Sequence, residues 1–295
     1  MNRREFLWKS ALTTAAFGLS LEAEAAMKSG LKFGYSAITW NGNDLVAIKE
    51  IAELGFKGIQ LRGNTYPVFK DKPSDLKMTL DQNHLQLAMF SSGNVSINDD
   101  ISKDIETHVN HAKFIKALGG SALQLTNNVR PKDRLPTTDE LKKYANNLTE
   151  VGKRVADEGI QATYHNHMGQ LGEKPEEVDI ILQTMDTKYV KFLLDVAHYH
   201  QGGGTPAKAI HQYKDILHTL HIKDTNPTDE NKGGYKFVEL GQGKVDFPAI
   251  FAALKEIKFS GWGVVELDAV PVKGRTALES GKITKAYLES LKIKL

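Results

Sequence analysis

The chain has 295 residues, a formal net charge of +2 and no cysteine. That length holds one large globular domain or two small ones, and the lack of cysteine excludes disulfides, thiolate nucleophiles and thiolate zinc sites. The near-balanced charge leaves no electrostatic footprint for nucleic acid or an acidic membrane surface.

The first residues read as a targeting signal. Asn2-Arg-Arg-Glu-Phe-Leu-Trp-Lys9 places Arg3 and Arg4 ahead of an apolar run at 11–21, and Ala23-Glu-Ala25 offers a small-x-small cleavage site. The pattern resembles the bacterial twin-arginine signal. The run is too short to span a bilayer, and no cysteine follows it to carry a lipid, so no stable membrane anchor is expected. Residues 1–26 are therefore expected to be a twin-arginine-type signal peptide, with a periplasmic mature chain at 27–295.

From residue 31 onward, strand and helix patterns alternate. Strands are predicted at 31–36, 58–62, 85–90, 122–126, 162–167, 192–195, 217–223 and 262–267. Helices are predicted between and after them at 44–54, 74–83, 101–118, 137–158, 176–185, from 205, 248–258 and 277–291. Thr137-x-x-Glu140 is a capping box. Thr205-Pro206 is a cap and first-turn pair. The run from 226 to 243, rich in Gly, Asn and Asp, is predicted to be a loop. Leu54-Gly, Leu118-Gly, Glu158-Gly and Ser260-Gly rhyme at the helix-to-strand turns, where glycine takes the left-handed conformation. Eight strands and eight helices over about 265 residues predict an α/β fold, a (β/α)8 TIM barrel in a single domain. The rival, a doubly wound sheet, expects a glycine-rich loop after its first strand; here Ser36-Ala-Ile-Thr-Trp-Asn-Gly42 follows instead.

Four late strands end in metal-type side chains: Ala162-Thr-Tyr-His-Asn-His167, Phe192-Leu-Leu-Asp-Val-Ala-His198, Leu217-His-Thr-Leu-His-Ile-Lys-Asp224 and Val264-Val-Glu-Leu-Asp268. A parallel barrel builds its site at the carboxyl ends of its strands. His165, Asp195, His221 and Glu266 are thus expected to converge on one divalent ion, Mn, Fe or Zn, two imidazoles and two carboxylates suiting such metals. His167, Glu266 and His198 are candidate catalytic groups. His198, Lys223, Trp40, Arg62 and Asn127 are candidate substrate contacts. Asp224 is expected to bond a loop or orient a ligand.

The runs His218-Thr-Leu-His-Ile-Lys-Asp224, Glu239-Leu-Gly-Gln-Gly-Lys-Val-Asp-Phe247 and Gly261-Trp-Gly-Val-Val-Glu266 resemble the xylose isomerase-like barrels, often called sugar phosphate isomerases/epimerases. The resemblance spans residues 31–295. It implies Asp195, His221 and Glu266 as metal ligands and His198 as a substrate contact. The family's epimerases usually carry Glu-Asn-His at the end of the fifth strand, where this chain has His165-Asn166-His167. A symmetric two-glutamate mechanism loses one base by that change. The related apurinic-site endonucleases need further histidines where this chain has Gln60-Leu-Arg62 and Ser91-Ser-Gly-Asn94. The expected function is metal-dependent isomerisation or epimerisation of a sugar or keto-sugar by proton abstraction beside a carbonyl. The alternatives are a lyase or dehydratase on a 3-keto-glycoside-like sugar and a non-catalytic periplasmic sugar-binding protein. The expected partner is a small carbohydrate, not nucleic acid.

Overall fold

Short apolar, β-branched runs alternate with helices because each strand buries both faces, one inside a barrel and one under the helices. A computed structural model describes residues 30–228 and 234–295; the expected leader at 1–26 lies outside the described residues. The strands are β1 (Gly30–Ser36), β2 (Gly58–Arg62), β3 (Gln86–Asn94), β4 (Ala122–Thr126), β5 (Gln161–His165), β6 (Val190–Asp195), β7 (Leu217–Ile222), β8 (Asp224–Pro227), β9 (Tyr235–Val238) and β10 (Ser260–Val265). Eight of them close into a parallel barrel in the order β1-β10-β7-β6-β5-β4-β3-β2. The surrounding helices are α1 (Asp44–Leu54), α2 (Tyr66–Phe69), α3 (Pro73–Gln82), α4 (Ser102–Ala117), α5 (Thr138–Asp157), α6 (Pro175–Thr184), α7 (Val196–Gln201), α8 (Pro206–Gln212), α9 (Phe247–Glu256) and α10 (Ala277–Ser290). The chain is a single (β/α)8 TIM barrel, as the alternation predicts. Among the described residues no helix is long and apolar enough to cross a membrane.

The period-2 alternation of the strands sets what faces inward. Along β10, Trp262 and Val264 point to the interior, where they join Ala88, Met89, Ala122 and Leu193 in an apolar plug. Glu266, two residues on, stands above it. The same spacing puts His165 above Thr163, Asp195 above Leu193 and His221 above Thr219. A polar layer thus rests on a packed floor at the carboxyl ends of the strands.

Three details differ from the sequence expectation. The fifth strand stops at His165, so His167 lies in the turn beyond it. The expected loop at 226–243 contains the antiparallel hairpin β8–β9. Its base is gathered by Asp224, whose carboxylate accepts the backbone N–H groups of Thr225, Gly241, Gly243 and Val245 at 2.8–3.2 Å. Only glycine fits at 243, since a Cβ there would lie 2.0 Å from Asp224 Oδ1. The fourth helix-to-strand turn also breaks the rhyme: Lys258 (φ 54°) takes the left-handed position, and Gly261 lies within β10.

The end of β3 is held by a buried relay. Ser92 Oγ lies 2.7 Å from His108 Nδ1 and 2.8 Å from His111 Nδ1, both on α4. His108 Nε2 faces the Asn94 carbonyl at 3.1 Å, so Nε2 carries the hydrogen. His108 Nδ1 then accepts the Ser92 hydroxyl, and Ser92 Oγ accepts from His111 Nδ1–H. Burial pushes His108 below its ordinary value and takes His111 down to about 4. The unfolded chain binds the His111 proton near pH 6.5 and the folded chain only near 4. Stability is therefore complete above pH 6.5 and declines as pH falls through that window. Chemical denaturation at pH 7.5 and pH 5 should show a loss of about 2 kcal/mol from this residue, and a His111→Gln variant should reduce the difference by about that amount.

Candidate metal centre and active site

Four strand ends bring His165, Asp195, His221 and Glu266 together. All are buried, and one donor atom from each lies within 4.8 Å of the others. His165 Nε2 is 3.0 Å from His221 Nδ1. Asp195 Oδ2 is 3.5 Å from both of those nitrogens, and Glu266 Oε1 is 3.5 Å from His221 Nδ1. Ligand bonds of 2.0–2.1 Å in a tetrahedral set place donors about 3.3 Å apart, so these spacings suit a zinc-sized ion. Asp195 Oδ1 caps α7 by accepting the backbone N–H of His198 at 2.9 Å. Its Oδ2 has no hydrogen-bond partner although the residue is fully buried. An unpartnered buried carboxylate oxygen is costly unless a cation meets it. Two carboxylates and two neutral imidazoles would balance a divalent charge, and the four residues fit such an ion.

The supporting contacts are as specific. Asn166 clamps Asp195 by its amide, donating to the Asp195 carbonyl at 3.2 Å and accepting its N–H at 2.9 Å. Gln60 of β2 reaches His221 Nε2 at 2.9 Å and Glu266 Oε2 at 3.1 Å. Lys223 is fully buried, 2.6 Å from Asp268 Oδ1, 3.1 Å from Glu266 Oε1 and 3.4 Å from His198 Nε2, with Phe237 of β9 4.0 Å from its Nζ. Burial alone would lower the Lys223 ammonium, but Glu266, Asp268 and Asp195 outweigh it and hold it above the usual lysine range. Burial would raise Glu266; the Lys223 ammonium beside it works the other way, and the carboxyl is held below its ordinary range.

A cleft of about 200 Å³ opens over this layer, lined by Gln60, Arg62, Gln124, His165, His167 and Glu266 among others. It is smaller than the roughly 300–1,000 Å³ of drug-sized sites and suits a single sugar ring. His167 Nδ1 faces the Met168 carbonyl at 2.6 Å, so Nδ1 carries the hydrogen and Nε2 is left with a lone pair. The His167 ring packs against His198 at a tilt of 37°, centroids 3.8 Å apart.

The sequence-predicted residues divide accordingly. His165, Asp195, His221 and Glu266 come together; His167 and Arg62 line the cleft. Four expected substrate contacts do not line it. Trp40 packs edge-on against Tyr35 and donates its indole N–H to Glu50. Asn127 is buried, tying its loop to Leu171 at 2.9 and 3.1 Å and to Gln170 at 3.1 Å. His198 lies behind His167, fully buried. Lys223 has three N–H donors and three partners already. Glu266 has one oxygen on Lys223 and the other on Gln60, which corrects its role as a free base. Gln60 and Gln124 escaped notice because a lone strand glutamine carries no local signal of inward orientation.

Residues 48–292 match the family described as xylose isomerase-like TIM barrel. The chain belongs to that family. Among curated relatives of this xylose isomerase-like barrel is the inosose dehydratase of Lacticaseibacillus casei (strain BL23), 28% identical over 90% of this chain and 97% of the relative. Among solved structures, the probable 3-DHS dehydratase AsbF of Bacillus anthracis superposes with a TM-score of 0.72 at 18% identity, covering 90% of this chain and 100% of that one. The IolI protein with a binding zinc atom superposes with a TM-score of 0.70 at 22% identity, covering 88% and 98%. At those identities the two structures speak for the fold.

Proposed function

We propose that the chain is a metal-dependent dehydratase acting on a keto-polyol, an inosose or a close relative of one. The observation that carries this reading is the one-sided base. Elimination needs one group to take the proton beside the carbonyl, whereas epimerisation through two opposed carboxylates needs a second, and His165 stands where that glutamate would be. The near full-length similarity to an inosose dehydratase supports the same choice. Dehydration therefore replaces the isomerisation that the motifs put first.

His165, Asp195, His221 and Glu266 would hold the divalent ion, which supplies polarisation of a substrate carbonyl and stabilisation of the enolate charge. His167 does the proton work. Its ring lines the cleft, with Nδ1–H held by the Met168 carbonyl and the ring packed at a tilt against His198, which leaves the lone pair to Nε2. It takes the proton from the carbon next to the carbonyl. The resulting imidazolium returns that proton to the hydroxyl leaving from the next carbon, so water departs from the same face. Gln124, Ser91, Thr126 and Gln170 supply the neutral donors and acceptors that a ring of hydroxyls needs.

The test is turnover of an inosose by the zinc- or manganese-loaded protein in deuterated water, followed by NMR. Loss of water from the keto-polyol is expected. His167→Gln should retain its metal and lose activity by about 10²- to 10⁴-fold. A metal-loaded protein that binds the keto-polyol without eliminating water, equally well in chelator, overturns the reading in favour of a sugar-binding protein. Paired Arg3 and Arg4 ahead of the apolar run support export of the folded enzyme to the periplasm; recovery of an intact N-terminus from the native host overturns that part.

A further inference from the structure

Gln60 is 1% exposed and stands in β2, on the wall of the barrel away from β7. Its amide makes two contacts across the interior, with His221 Nε2 at 2.9 Å and Glu266 Oε2 at 3.1 Å. Ser36 Oγ on β1 lies 3.3 Å from the same amide nitrogen. The orientation of an amide is ordinarily a matter of inference, but here chemistry leaves one solution. An ionised carboxylate only accepts, so the NH2 group faces Glu266. The carbonyl oxygen therefore faces His221, and His221 Nε2 must carry a hydrogen to meet it. A neutral His221 protonated on Nε2 has its lone pair on Nδ1. That is the atom 3.0 Å from His165 Nε2 and 3.5 Å from both Asp195 Oδ2 and Glu266 Oε1.

We propose that Gln60 is a positioning residue that writes the tautomer of His221 and the rotamer of Glu266 with one side chain, aiming both at the ion. The proposal rests on the metal-site reading above. Few side chains of that reach present an acceptor to one neighbour and a donor to the other. Glutamate would repel Glu266. Lysine or arginine would donate to both, driving the His221 hydrogen onto Nδ1, where it would block the donor set. Partners of this kind orient ligands and tune their basicity, and their loss typically weakens metal binding ten- to a hundredfold.

Two measurements test it. The first needs no variant: nitrogen NMR of histidine-labelled, metal-free wild type should show His221 as the Nε2–H tautomer. The Nδ1–H tautomer, or a mixture, overturns the proposal. The second compares zinc affinity, by chelator competition, of the wild type and Gln60→Met. A ten- to hundredfold weaker affinity is expected, with His221 losing its single tautomer while the metal-free protein stays folded, its melting temperature lowered modestly by the lost contacts to Glu266 and His221. Equal affinity in a folded Gln60→Met protein overturns the positioning role. A wild type that takes up no zinc, manganese or iron overturns the metal reading itself, and with it the proposal, while the tautomer still reports whether Gln60 sets His221.

Discussion

Asp195→Asn is expected to abolish tight metal binding and lower the proposed dehydratase activity by about a thousandfold. The figure corresponds to about 4 kcal/mol of transition-state charge stabilisation. The substitution keeps the side chain's size and replaces a charged oxygen that has no hydrogen-bond partner while the residue is fully buried. Against the cost of burial, the neighbouring histidines and the Lys223 ammonium hold the Asp195 carboxylate well below the usual range, which outweighs its repulsion with Glu266. The metal-free variant should therefore melt somewhat below the metal-free wild type while remaining folded. The difference emerges on adding metal. At a hundredfold excess over the dissociation constant a ligand stabilises by about 2.7 kcal/mol, a rise of about 5 °C or more for a domain of this size. Wild type should show that rise and Asp195→Asn should not. A variant that folds without metal yet is blind to it separates ligation from folding, and an unchanged metal-induced rise in the variant counts against Asp195 as a ligand.

Lys223→Met should have the largest effect on stability, a loss of about 3–5 kcal/mol, as expected when one partner of a buried ion pair is removed. The lysine is fully buried and holds Glu266 and Asp268 at 3.1 and 2.6 Å. Methionine fills part of the volume and leaves two carboxylates facing each other without a cation. Their mutual repulsion relaxes once one takes up a proton, so the deficit relative to wild type should shrink on acidification from pH 8 to pH 5. Urea midpoints at the two pH values check this. A mild loss that is the same at both pH values would mean that Lys223 contributes packing and not charge. The Lys223→Met, Asp268→Leu double variant should recover part of the stability, because it removes one of the stranded charges together with the ammonium.

The barrel and its donor set were legible because they depend on short-range rules. Side chains alternate along a strand, and helix caps such as Thr137 with Glu140 follow local bonding. Four runs ending in His, Asp or Glu could therefore be placed on one layer before any fold was known. The contacts expected of Trp40, Asn127, His198 and Lys223 went astray for a different reason. Position after a strand end says that a residue is near the cleft, not whether its polar atoms are already engaged. The indole of Trp40 is taken by Glu50, the amide of Asn127 by Leu171, and the ammonium of Lys223 by three partners.

The sequence by itself determined the α/β alternation, the closed parallel barrel and the four residues at its carboxyl end, since each follows from periodicity within a few residues. Only the tertiary structure decided which donor atoms of those residues converge and which histidine lines the cleft with its Nδ1 already engaged. Gln60 meets its partners 161 and 206 residues further along the chain. Contacts at such separations exist only after the barrel closes, and no local pattern along β2 announces them.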